Sequence, residues 1–136
     1  AIASKIAAKI YDLKVLSEKI QDNQNNTTRF LIMEKKPKHF IKKEKKVITS
    51  ILFQVRNIPA ALYKAMGGFA TNNVNMIKLE SYMLGGSFKA TQFFADIEGH
   101  PEDDTVKRAM EELSYFTTKL EIIGVYKQHP FRYKSE

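Results

Sequence analysis

The chain has 136 residues, 43% hydrophobic and 27% charged, which suits a globular protein of one or two small domains. It contains no cysteine, which excludes disulfides and thiolate metal sites and is compatible with a reducing cytoplasm. No run approaches the roughly 20 apolar residues of a membrane-spanning helix, so no membrane partner is expected. His39, His100 and His129 are far apart and lack ligand spacing, so neither a metal nor another cofactor is expected. The net charge of +7 invites a nucleic-acid reading, but residues 34–46 carry seven lysines against two glutamates, leaving only +2 elsewhere. So concentrated a run reads as a solvated linker, and no nucleic-acid partner is expected.

The first residues already lie on a helical stripe. Ile2, Ile6, Ile10 and Leu13 recur at helical intervals, with Ala3 and Ala7 beside them and no cap residue in front. Such a face must be buried, and the first 33 residues supply too little material for a core. Residues 1–36 are therefore expected to be the tail of a larger domain. Within them, Asn25-Asn26-Thr27-Thr28-Arg29-Phe30 sets amide, hydroxyl and guanidinium groups against the apolar run Phe30-Leu31-Ile32-Met33. This reads either as a polar loop feeding a buried strand, where small-molecule chemistry tends to sit, or as an Asn/Thr-rich surface turn.

Glu34-Lys35-Lys36-Pro37-Lys38-His39 disfavours regular structure, and the charge continues through Lys46. Residues 37–46 are expected to be a basic linker. Beyond it, residues 47–55 are β-branched and apolar enough for a buried strand. Asn57 is expected to cap a helix with Pro59 in its first turn, and Leu62, Met66, Phe69 and Ala70 share one face. The adjacent Gly67 and Gly68 imply close helix packing there. Asn72-Asn73 end the helix, residues 75–83 form a strand, Gly85-Gly86 turn, and a strand follows over 88–98. After Gly99-His100-Pro101, acids at 102–104 precede a helix whose stripe is Val106, Met110, Leu113 and Phe116 or Thr117. Residues 120–126 read as a last strand. The order β-α-β-β-α-β, with two helices on one face of an antiparallel sheet, is the ferredoxin-like α+β sandwich. That fold alone settles no function.

Several segments resemble a known family. The string 20–30 is similar to the hallmark segment of prephenate dehydratases, which convert prephenate to phenylpyruvate. Residues 58–65, 75–81 and 93–100, with Gly124-Val125-Tyr126 and His129-Pro130-Phe131-Arg132, resemble the regulatory ACT domain of the same enzymes. The resemblance implies an end of a catalytic domain (1–36), the linker, and a complete ACT domain (47–136). It assigns Thr28 the protonation of the departing hydroxide, Arg29 support of the dianionic substrate, and Phe30 the anchoring of the loop. It also implies L-phenylalanine as effector, held at Ile58, Pro59, Ala60, Ala61 and Leu62 with Asn75, Leu79, Glu80 and Ser81. A homodimer or higher homo-oligomer through the ACT domain is implied as well. Because the remaining pocket groups would lie elsewhere, the chain alone is expected to be inactive on prephenate.

Two departures stand out. Dehydratases commonly carry Gly-Ala-Leu where this chain has Ala60-Ala61-Leu62, and Glu-Ser-Arg-Pro where it has Glu80-Ser81-Tyr82-Met83. Two rivals remain. One is a dimerisation-only module, which differs in not responding to phenylalanine. The other is an RNA-binding module of the same strand order, whose aromatic and glycine pattern is lacking at 89–96. Glu80 and Asp96 read as sheet-face charges rather than an acid–base pair.

Overall fold

A computed structural model describes residues 1–23, 28–35, 46–86 and 90–133. The chain divides into two compact units, Ala1–Glu34 and Lys35–Glu136.

In the first unit, α1 (Lys5–Ile10) is shorter than the apolar stripe suggests. Ser4 caps it, its hydroxyl accepting from the Ala7 amide at 3.2 Å, which corrects the expectation of an uncapped start. An ion pair of 2.5 Å joins Lys5 to Glu18. Ile2, Ile6, Ile10 and Leu13 are all exposed. A helix this short gains little from its own hydrogen bonds and depends on tertiary packing, so the stripe outruns the helix. The apolar run 30–33 is not a buried strand. It has no strand pairing, and Phe30 and Ile32 are 85% and 91% exposed. A strand forms only against a partner, and the described residues of this unit offer none.

The second unit has the expected β-α-β-β-α-β order. It comprises β1 (Val47–Val55), α2 (Ala61–Thr71), β2 (Met76–Met83), β3 (Ala90–Glu98), α3 (Asp104–Phe116) and β4 (Thr117–Lys127). The sheet order is β2-β3-β1-β4, wholly antiparallel, with β1 central and β2 and β4 at the edges. Alternate residues of β1 and β3 face the helices. Ile51, Phe53 and Val55, with Phe93, Ala95 and Ile97, bury against Ala65 and Phe69 of α2 and Val106, Ala109 and Leu113 of α3. Phe53 and Phe93 are register partners, and their rings stack with centroids 5.4 Å apart. Gly85 and Gly86 take positive φ in the turn after β2, as the hairpin requires. A short 3-10 turn, Pro130–Tyr133, follows β4.

Three local details differ from expectation. Asn57 does not cap α2, because the segment 56–60 closes as turns (Ile58 N–H to Arg56 O, Ala61 N–H to Ile58 O) and delays the helix to Ala61. β4 begins at Thr117, directly after α3 with no loop, and carries bulges opposite Ser50/Ile51 and Gln54/Val55. Of the glycine pair, only Gly68 marks close packing: a Cβ there would lie 2.7 Å from Glu112 Cβ and 3.1 Å from the Ala109 carbonyl oxygen, whereas one at Gly67 meets nothing within 4 Å.

A polar clasp surrounds that contact. Asn72 donates to Glu112 at 2.8 Å and accepts from Arg108 Nε at 3.0 Å, tying the end of α2 to α3. Gly68→Ala should therefore destabilise the chain by about 1–3 kcal/mol through overpacking. Gly67→Ala should stabilise it by up to ~1 kcal/mol through helix propensity. Urea denaturation of the two variants side by side checks both signs.

Candidate functional site

The turn between β1 and α2 opens a cleft of about 250 Å³, lined by Val55, Arg56, Asn57, Ile58, Ala60, Ala61, Leu62, Tyr63 and Phe93. That is slightly below the roughly 300–1,000 Å³ of pockets for drug-sized ligands, and it suits something as small as one amino acid. Val55, Ala61 and Phe93 are core residues, so the floor is apolar and rigidly held by the sheet and the first turn of α2. Ala60 is the N-cap residue and sits in the left-handed region, φ 57° and ψ 23°, with no side-chain cap. Alanine tolerates this region far less well than glycine does. The departure noted in the sequence thus falls on a backbone that glycine would favour.

The expected effector residues divide into separate groups. Ile58, Ala60, Ala61 and Leu62 line the cleft, while Pro59 belongs to the same turn. Ser81 pairs with Phe93 in the β2–β3 register, which puts it beside the cleft end of the sheet, and Leu79 lies two residues along the same face. Glu80 points to the opposite face. It accepts from the Tyr82 hydroxyl at 2.7 Å and pairs with Lys78 at 3.0 Å. Asn75 stands at the far end of β2, where its amide donates to Glu98 Oε2 at 3.0 Å. Six residues of strand, about 20 Å, separate it from Ser81. Val55, Arg56, Asn57, Tyr63 and Phe93 also line the cleft and are not among the expected effector residues. For Val55, Arg56, Asn57 and Tyr63 the signal is position alone, around a strand-to-helix turn, whereas Phe93 comes there from β3 by pairing with Phe53.

The other candidate group lies in the first unit. Thr28, Arg29 and Phe30 are exposed and outside regular structure, and Asn25, Asn26 and Thr27 lie outside the described residues. Among the described residues no cluster of His, Asp or Glu could hold a metal ion, and no helix is long and apolar enough to cross a membrane.

On the open face of the sheet, Asp96 is fully buried. The Ser50 hydroxyl donates to its Oδ1, and the Tyr126 hydroxyl lies 3.4 Å from the same oxygen and 3.1 Å from Ser50 Oγ. Asp96 is thus a hydrogen-bonded carboxylate of the sheet, bridging β1 and β4 from β3.

Comparison with known proteins gives this geometry a context. Residues 1–38 match the family model described as prephenate dehydratase. The chain is 50% identical, over 98% of its length, to the bifunctional N-acyl-homoserine lactone acylase/prephenate dehydratase of Komagataeibacter europaeus, covering 48% of that protein. It is 40% identical over 93% of its length to the bifunctional chorismate mutase/prephenate dehydratase of Aquifex aeolicus, covering 34% of it. The chain matches the C-terminal portion of prephenate dehydratases. It spans about half or less of the length of these relatives.

Solved structures agree in fold. The structure of GqqA, described as a novel type of quorum-quenching acylase, superposes with a TM-score of 0.65 at 53% identity, over 72% of this chain and 35% of that one. The prephenate dehydratase of Arthrobacter aurescens, solved in complex with L-Phe, superposes at 0.59 over 68% of this chain and 30% of its own. Its identity of 24% carries the likeness of fold alone.

Two outcomes follow from the local geometry. Ala60→Gly should stabilise the chain by about 0.5–1 kcal/mol, the relief of left-handed strain less the extra entropy of unfolded glycine, read as a raised thermal midpoint. Tyr82 titrates above its ordinary value, first because its hydroxyl donates to Glu80, then through lost hydration and the Glu80 charge. The folded state thus holds this proton more tightly than the unfolded chain does. Its contribution to stability is full below the ordinary tyrosine range near 10 and is lost as pH rises through the higher folded value. In an ultraviolet difference titration, Glu80→Gln should return one tyrosine to the ordinary range.

Proposed function

We propose that this chain is the C-terminal piece of a prephenate dehydratase, in which residues 47–136 act as an ACT regulatory domain sensing L-phenylalanine. Residues 37–46 are then a basic linker, and residues 1–36 are the end of the catalytic domain. The observation that carries the sensing role is the apolar cleft at the β1–α2 turn, formed by the Ile58–Leu62 segment that the motif singled out. An apolar floor suits an aromatic side chain, and the first turn of α2 favours a ligand carboxylate.

The division of the effector set supports a homodimer or higher homo-oligomer. Within one copy Asn75 stands about 20 Å along the strand from Ser81. A site shared between two copies lets residues from both ends of the domain meet one ligand. Binding at such a shared surface would bias the relative arrangement of two catalytic domains, which is what allosteric inhibition requires. In the first unit, Thr28 would protonate the departing hydroxide of prephenate, Arg29 would support the dianionic substrate, and Phe30 would anchor the loop. The exposed stripe and the unpaired run 30–33 in that unit fit a segment that completes a larger catalytic body. The absence of cysteine fits a cytoplasmic enzyme of amino-acid biosynthesis.

A second reading draws on the 50% identity with the Komagataeibacter bifunctional acylase. On it, the whole protein also hydrolyses an N-acyl-homoserine lactone. Loss of such a lactone in the presence of the full-length protein, against a heat-inactivated control, is the measurement that separates the two readings.

Calorimetric titration of the 136-residue chain with L-phenylalanine, L-tyrosine and L-alanine tests the sensor. Selective saturable binding, near one ligand per chain, is expected, together with no turnover of prephenate above background. Heat for none of them, from a folded dimer, would leave dimerisation as the role of this domain.

A further inference from the structure

Arg56 lines the β1–α2 cleft. Among the described residues its guanidinium has no ion pair or hydrogen bond, whereas Lys5, Lys78 and Lys119 pair with Glu18, Glu80 and Glu121, and Arg108 bonds Asn72. None of the described residues lining the cleft is acidic. An aliphatic and aromatic floor with one unengaged guanidinium and no acidic side chain is therefore cationic, with no carboxylate to pair an ammonium group.

We propose that Arg56 is the carboxylate-binding residue of this cleft, and that the cleft selects small carboxylates with an apolar body by their carboxylate rather than by their ammonium group. The proposal rests on the sensor reading above and adds to it a residue and an order of preference among ligands. A guanidinium fork matches a carboxylate with two parallel N–H···O bonds, stronger than neutral ones. The apolar floor lowers the local dielectric and strengthens that attraction. The positive end of α2 beside the cleft has the same sign. An amine without a carboxylate would meet the like charge of Arg56 with no acidic side chain of the cleft to offset it. An arylpropionate without the amine would lose little.

The chain and its Arg56→Gln and Arg56→Lys variants are to be titrated calorimetrically with L-phenylalanine, phenylpropionate (no ammonium) and phenethylamine (no carboxylate). Arg56 is exposed, so both variants should keep the parent thermal midpoint. The parent should bind L-phenylalanine and phenylpropionate and not phenethylamine. Arg56→Gln should weaken both carboxylates about tenfold, as loss of a charge-assisted hydrogen bond does, and Arg56→Lys should recover part of that loss. If the parent binds L-phenylalanine but Arg56→Gln binds it equally well, or if phenethylamine binds as tightly as phenylpropionate, this inference fails while the sensor reading stands. If the parent binds neither carboxylate, the sensor reading itself fails.

Discussion

Strand β1 is the constraint on which the second unit depends. It is hydrogen-bonded along its length to β3 on one side and β4 on the other, and seven of its nine residues are buried. Ile51, Phe53 and Val55 supply the helix face, each side chain worth roughly 1.5–3 kcal/mol when fully buried. The stacked pair of Phe53 and Phe93 locks the two central strands in register from that side. A slip of one residue would turn Phe53 away from the helices and bring Ser50 or Leu52 among them. The seat of α2, and with it the cleft at the end of β1, follows from this register.

The open face holds the same register by different means. Ser50 on β1 and Tyr126 on β4 converge on the buried carboxylate of Asp96 on β3, so one polar cluster joins three strands. A buried carboxylate is costly unless it is hydrogen-bonded, which makes the correct alignment of the three strands the arrangement that avoids the cost. The cleft is built less economically. Its N-cap residue is an alanine held at positive φ with no side-chain cap. Strain of this kind persists where surrounding packing over-determines the backbone, and it gathers at ligand-binding turns.

Much of the fold was legible in the residues because periodicity reports burial directly. The two helices of the second unit, its four strands and the glycine turn stand where apolar spacing and turn chemistry put them. Boundaries were less legible. Asn57 has the chemistry of a helix cap, yet the turns at 56–60 use up the first positions and the helix waits until Ala61. The first unit shows the limit of pattern reading. The run 30–33 has the composition of a buried strand and remains exposed, because a strand is a relation between two segments and composition describes only one.

The sequence by itself determined the order of elements, the buried character of β1, the resemblance to prephenate dehydratases, and the segment 58–62 as a place of interest. These are local or pairwise properties, carried by spacing and residue type. Only the tertiary structure decided that Gly68 and not Gly67 lies against α3, that Ala60 is left-handed, and that Ser50 and Tyr126 meet at Asp96. It alone brought Arg56 and Phe93 to one cleft while setting Asn75 far along the sheet. The reason is that such neighbourhoods depend on strand register and on which face each residue occupies, and neither exists until the strands have paired.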